Sequence, residues 1–145
     1  MLNFSKMLAA ASMAAVLGLT GCASMQEPPP IKTVYHINDS TNAMVAMNNI
    51  RNQLAASPED QVVVVTHGKG IDFLLEGAAD KDGNPYNVRV DELIAKKVDF
   101  RVCNNTLASR KIDPKTVLPG AHIVPSGVAE VAKLQAREGY TYIKP

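Results

Sequence analysis

The sequence predicts one α/β domain: a mainly parallel sheet of about five strands with helices on both faces, three layers in a flavodoxin-like arrangement. Three observations predict it. Gln61–Thr66 (QVVVVT) is an unbroken β-branched run, the pattern of a strand buried on both faces of a parallel sheet. Short strand-like runs alternate with segments of helical period from Thr33 to Ile143, as right-handed βαβ crossovers require. The 145 residues are 46% hydrophobic and 20% charged, enough for one core and not two. A domain of this size buries about two-thirds of its unfolded surface and needs no disulfide staples.

Residues 1–21 read as an export signal rather than as part of the fold. Met1–Lys6 is a short positive segment and Met7–Leu19 an apolar run. That run is too short for a membrane span, which takes about 20 residues, and fits a signal core of about 7–15. It ends in Leu19-Thr20-Gly21-Cys22, which resembles the bacterial lipobox, whose cysteine is diacylated and becomes the first residue of the mature chain. Cys22 is therefore the expected lipid anchor, since two or more acyl chains hold firmly where one does not. Ala23 stands where an aspartate would resemble the inner-membrane retention signal, so a periplasm-facing position on the outer membrane is expected. Residues 22–31 form the lipidated tether, kept extended by Pro28-Pro29-Pro30. Residues 32–145 form the domain.

Within the domain, Thr33–Ile37 is the first strand, and Asp39-Ser40-Thr41-Asn42 supplies helix caps. Ala43–Ala56 follows as a helix with Met44, Met47, Ile50 and Leu54 on one face. Ser57-Pro58 stops it before the strand Gln61–Thr66. His67-Gly68-Lys69-Gly70 reads as a loop, Ile71–Glu76 as a short element of unassigned type, and Ala79–Tyr86 as a solvated loop. Val88–Lys97 reads as a helix, with Val90, Leu93, Ile94 and Val98 at helical spacing. Asp99–Cys103 is the third strand, Thr106–Lys111 a short helix, and Ala121–Val124 the fourth strand. Val128–Arg137 is a helix whose apolar face is Val128, Val131, Ala132 and Leu134. Gly139 caps it, and Tyr140–Ile143 is the last strand.

Composition removes several function classes. Losing residues 1–21 removes Lys6 and takes Lys+Arg from 15 to 14, equal to the 14 Asp+Glu. A neutral domain has no electrostatic footprint for nucleic acid. There is no Trp, so aromatic stacking is a poor basis for function. No Cys/His cluster has metal-ligand spacing, and no glycine-rich phosphate loop is present. No metal and no cofactor is expected.

Ligands of open α/β sheets bind beyond the carboxyl ends of the strands. The residues there are Asn38-Asp39, His67-Gly68, Cys103-Asn104-Asn105-Thr106 and Ser126-Gly127. With Cys22 lipidated, Cys103 is the one remaining thiol of an exported chain. Two readings compete for it. One is a reactive thiolate at a helix start, whose free N–H groups favour the anion. The other is an inert, buried strand-end cysteine. His67 can orient a ligand or serve only a backbone hydrogen bond, and Ser126 can hold an anion with Gly127 or simply cap a helix. His36 and His122 fall within strands and carry no assigned role.

Five blocks carry a family resemblance: Val34–Asp39 (VYHIND), Val62–Gly70 (VVVVTHGKG), Phe100–Leu107 (FRVCNNTL), Val124–Gly127 (VPSG) and Leu134–Pro145 (LQAREGYTYIKP). In this order and spacing, the chain from about Thr33 to Pro145 resembles the DsrE/DsrF-like family, proteins linked to sulfur transfer. The resemblance implies a parallel α/β fold assembled into trimers or hexamers. It places Cys103 at the position that carries a persulfide in sulfurtransferase members, with His67 in the block lining that pocket. A sulfur donor or acceptor protein is then the expected partner. Fold transfers better than activity. The alternative is a non-catalytic envelope domain that binds a small anion or a partner at the same edge. A third, an assembly module, would have its oligomer interface as its function.

Overall fold

A computed structural model describes residues 29–145. The signal segment, Cys22 and most of the tether lie outside the described residues. No helix among the described residues is long and apolar enough to cross a membrane.

The elements follow the expected alternation. They are β1 (Lys32–Asp39), α1 (Ala43–Ala56), β2 (Gln61–Lys69), α2 (Tyr86–Ala95), β3 (Asp99–Cys103), α3 (Asn104–Arg110), β4 (His122–Val124), α4 (Gly127–Glu138) and β5 (Thr141–Ile143). All neighbouring strands are parallel, in the order β4-β3-β2-β1-β5. The chain steps from β1 to β4 in one direction, then returns to place β5 on the other side of β1. Right-handed crossovers then put α1, α2 and α3 on one face and α4 alone on the other.

Two cores result. On the first face, Tyr35, Ile37, Val62, Val64, Phe100 and Val102 pack with the apolar side of α1 and α2. On the second, Val34, Val63 and Val65 meet Val131 and Leu134 of α4. The valine run of β2 is thus divided residue by residue between the cores, as the two-residue period of a strand demands. In α1, Met47, Ile50 and Leu54 are buried as their spacing predicts. Ile50 is fully buried, so Ile50→Ala is expected to lower unfolding free energy by about 2–5 kcal/mol. Denaturant melts measure this, and a loss under about 0.5 kcal/mol would be surface behaviour.

Three expectations need correction. His67-Gly68-Lys69 is strand rather than loop: β2 runs on and Lys69 pairs with Asp39 after an irregularity between Ile37 and Asp39. Gly68 makes this feasible, since its φ of +58° is open to glycine at little cost. Val128 and Ala132 do not belong to the buried side of α4. Val128 is 59% exposed, because a single helix lying over β1–β3 turns only the Gly127-Val131-Leu134 stripe inward. The second helix starts at Tyr86 rather than Val88, with Pro85 in extended conformation before its first turn. Gly139 does close α4, at φ +74°.

Candidate functional site

Cys103 is the last residue of β3 and stands at the N-cap position of α3. The strand ends in the core, which fixes its Cα. The helix that follows turns free backbone N–H groups back toward it. Burial pushes the Cys103 thiol up. The Gly127 N–H, the Thr106 hydroxyl and the N–H groups of Thr106 and Asn105 are donors for its thiolate and together outweigh burial, leaving it below the ordinary thiol range, while the neutral thiol itself makes no cap hydrogen bond. Such donors stabilise the anion and not the neutral thiol.

Each donor is itself held in place. The Thr106 hydroxyl accepts from the Gly68 N–H at 3.0 Å, so the end of β2 fixes the group that donates to Cys103. The guanidinium of Arg110 donates to the Gly68 carbonyl at 3.0 Å and to Asp72 at 2.5 Å. Gly127 approaches because it lacks a side chain. A Cβ there would lie 3.1 Å from the Thr66 carbonyl oxygen, 3.2 Å from Cys103 Cβ and 3.2 Å from His67 Cβ. Ser126 Oγ accepts from the Ala129 N–H at 3.5 Å, so its side chain serves as the cap of α4 while the next residue's N–H serves Cys103.

The predicted edge therefore divides. Cys103, Asn105, Thr106, His67, Gly68, Ser126 and Gly127 converge, Asn105 through its backbone. Asn104 is exposed, beside the site but not in it. Asp39 accepts from the N–H and hydroxyl of Thr41, both at 2.9 Å. Thr41's backbone, then its hydroxyl, hold that carboxyl below its usual range. Asn38 is exposed, and its carbonyl faces Gly68. Sequence reasoning missed Arg110, and it missed His36, which lies 4.8 Å from the ring of His67. The signal for His36 was available: strand alternation puts it on the face of Val34 and, across the ladder, Val65. Among the described residues, no group of three or more His, Cys, Asp or Glu is placed to hold a metal ion.

A family model described as the DsrE/DsrF-like family matches residues 31–145. The chain belongs to the DsrE/DsrF-like family. The family is associated with sulfur relay. A protein of unknown function, MTH1491, from Methanobacterium thermoautotrophicum superposes with a TM-score of 0.71 at 29% identity, over 79% of this chain and 99% of that one. The ychN protein from E. coli superposes with a TM-score of 0.65 at 13% identity, over 81% of this chain and all of that one, a likeness of fold alone. No curated protein matches significantly. The parallel five-stranded sheet is thus the DsrE/DsrF-like fold, with Cys103 at the carboxyl edge where open α/β sheets bind ligands.

Proposed function

We propose that this DsrE/DsrF-like chain is a sulfur carrier of the cell envelope. Cys103 takes a sulfane sulfur as a persulfide and yields it to an acceptor thiol. In the second half-reaction, the acceptor thiolate attacks the outer sulfur of Cys103–S–S⁻. The S–S bond breaks, the electron pair returns to Cys103, and the acceptor leaves as the persulfide. The reading rests on the place of Cys103, at the carboxyl end of β3 and the N-cap position of α3, where the donor groups that favour a thiolate favour a persulfide anion as well. Loading the full chain with radiolabelled polysulfide, removing the excess and adding glutathione tests it. Label is expected to leave the protein as glutathione persulfide, and label that stays bound or was never taken up would contradict the reading.

A second reading has one observation in its favour. Cys103 is only 5% exposed, as an inert thiol in a non-catalytic binding domain would be. The two separate on alkylation of Cys103 without denaturant, which the carrier requires.

The same proposal places the domain on a lipid anchor at Cys22, facing the periplasm from the outer membrane. The intact chain expressed in a Gram-negative host should lose residues 1–21 and gain diacylglycerol at Cys22, read by mass. A retained Met1 with unmodified Cys22 would contradict this. The domain is also expected to self-associate, as a trimer or hexamer. Its neutral charge opposes association little, and Val128, Ile123 and Tyr142 present apolar surface. Sedimentation at micromolar concentration measures it, and a monomer would count against it.

A further inference from the structure

A cluster of polar side chains lies on the α4 face of the sheet, and the carrier step above uses none of it. The rings of His36 on β1 and His67 on β2 are 4.8 Å apart and tilted by 32°. Tyr142 on β5 meets His36 edge-on, with its Oη 2.8 Å from His36 Nδ1. Burial first, then the charges of His67 and Lys144, hold His36 below the ordinary imidazole range, which favours the neutral ring. No carboxylate is among the groups acting on it.

The tautomer follows from this pairing. A phenol is a better donor than a neutral imidazole N–H, and imidazole nitrogen the better acceptor, so Tyr142 donates to Nδ1. The ring hydrogen then sits on Nε2. That nitrogen is buried with no hydrogen-bond partner among the described residues. Buried donors are nearly always satisfied. An unpaired N–H beside a second imidazole and a phenol, with no acid acting on it, lacks an anionic acceptor.

The cluster adjoins the thiol. The point where a Gly127 side chain would stand is 3.2 Å from both Cys103 Cβ and His67 Cβ, so the two side chains start beside the same point. His67 is half-buried and Tyr142 is 38% exposed, so the cluster reaches solvent.

We infer that His36, His67 and Tyr142 form an oxyanion subsite beside Cys103, and that the sulfur donor is of the thiosulfate class, a sulfane sulfur bonded to a sulfur oxyanion. The inference rests on the carrier reading of Cys103. The thiolate attacks the outer sulfur of the donor, and the donor's S–S bond breaks. Sulfite leaves with the electron pair and Cys103 keeps the persulfide anion. Total charge is unchanged, and no external oxidant or reductant is needed. His67 meets the oxyanion first, and turning of its ring brings the Nε2–H of His36 to the same oxygens. Negative charge builds on the departing sulfite, where donors fixed in advance act most strongly.

Two measurements on the full chain in detergent test it. The first is loading of the Cys103 peptide, by mass, from thiosulfate and separately from polysulfide. His36→Gln and His67→Gln are each expected to slow loading from thiosulfate about tenfold, as loss of one charge-assisted hydrogen bond would. Loading from polysulfide, which carries no oxyanion, reports any general damage to the site, and the ratio of the thiosulfate rate to the polysulfide rate should fall about tenfold in each variant. Equal loss with both donors, or no loss with thiosulfate, overturns the subsite. The second is binding in Cys103→Ser, followed through the histidine ring resonances during titration with thiosulfate. Those of His36 and His67 should move, while His122, on β4 beside Asp99, should not. No movement by about 10 mM, ten times what half-fills a millimolar site, overturns the subsite. If the wild type loads from neither donor, the carrier reading fails, and this titration still decides the subsite.

Discussion

Replacing Gly70 by alanine is expected to lower the unfolding free energy by about 3 kcal/mol or more, at the upper end of overpacking effects. The added Cβ would lie 2.1 Å from the Ile37 carbonyl oxygen, 2.6 Å from its carbon and 2.8 Å from Asn38 Cα. All three are backbone atoms of β1, so no side chain can turn aside. Relief requires β1 and β2 to part at their carboxyl ends. The Gly70 N–H donates to the His67 carbonyl at 2.9 Å, so the displacement also carries the segment that holds Thr106. Gly127→Ala meets its neighbours at 3.1–3.2 Å, a clash that a shift of a few tenths of an ångström relieves, and should cost less. Urea melts of the two variants measure the order. Equal stability of Gly70→Ala and wild type would mean that β1 does not run against Gly70 as described.

Thr106→Val is expected to raise the titration midpoint of Cys103 while leaving the sulfur in place. The variant removes the hydroxyl that donates to Cys103 and accepts from Gly68. It also leaves the Gly68 N–H without its acceptor, at about 1–3 kcal/mol if that group stays buried. The pH profile of iodoacetamide alkylation reads the midpoint directly. In the wild type it should fall below that of free cysteine, about 8.5. A depressed thiol also links to stability with a fixed sign. The folded state releases its proton at lower pH than the unfolded state does. The stabilisation is therefore complete above the unfolded midpoint and disappears as pH falls through the folded one. Cys103→Ser should lose this part of the pH dependence, and its persistence in that variant would assign it to another group.

Much of the fold was legible because its strongest signals are local. The valines of β2 and the three-and-four spacing in α1 each encode burial within a few residues. The site was half legible. Cys103 was found because a lone thiol at a strand end is unusual, and its α3 donors follow from the helix start. Gly127 was placed at the same edge, but its approach to Cys103 was not foreseen, because it is 24 positions away along the chain and meets Cys103 only once α4 crosses the sheet. Gly68 read as a loop residue because glycine breaks strands, whereas it relaxes the ladder inside β2. Gly70 does follow the strand, and there it permits close backbone approach. The buried side of α4 was misjudged for a related reason. Helical period defines a stripe but not how much sheet lies beneath it, and here the helix lies alone on its face.

The most direct test of sulfur carriage is the mass of the Cys103 peptide after the full chain is treated with polysulfide and desalted. A gain of one sulfur on that peptide, removed by dithiothreitol and absent in Cys103→Ser, is the expected result. An unchanged mass in a protein whose Cys103 iodoacetamide alkylates without denaturant would contradict it, because the thiol would then be accessible and reactive yet unable to hold sulfur.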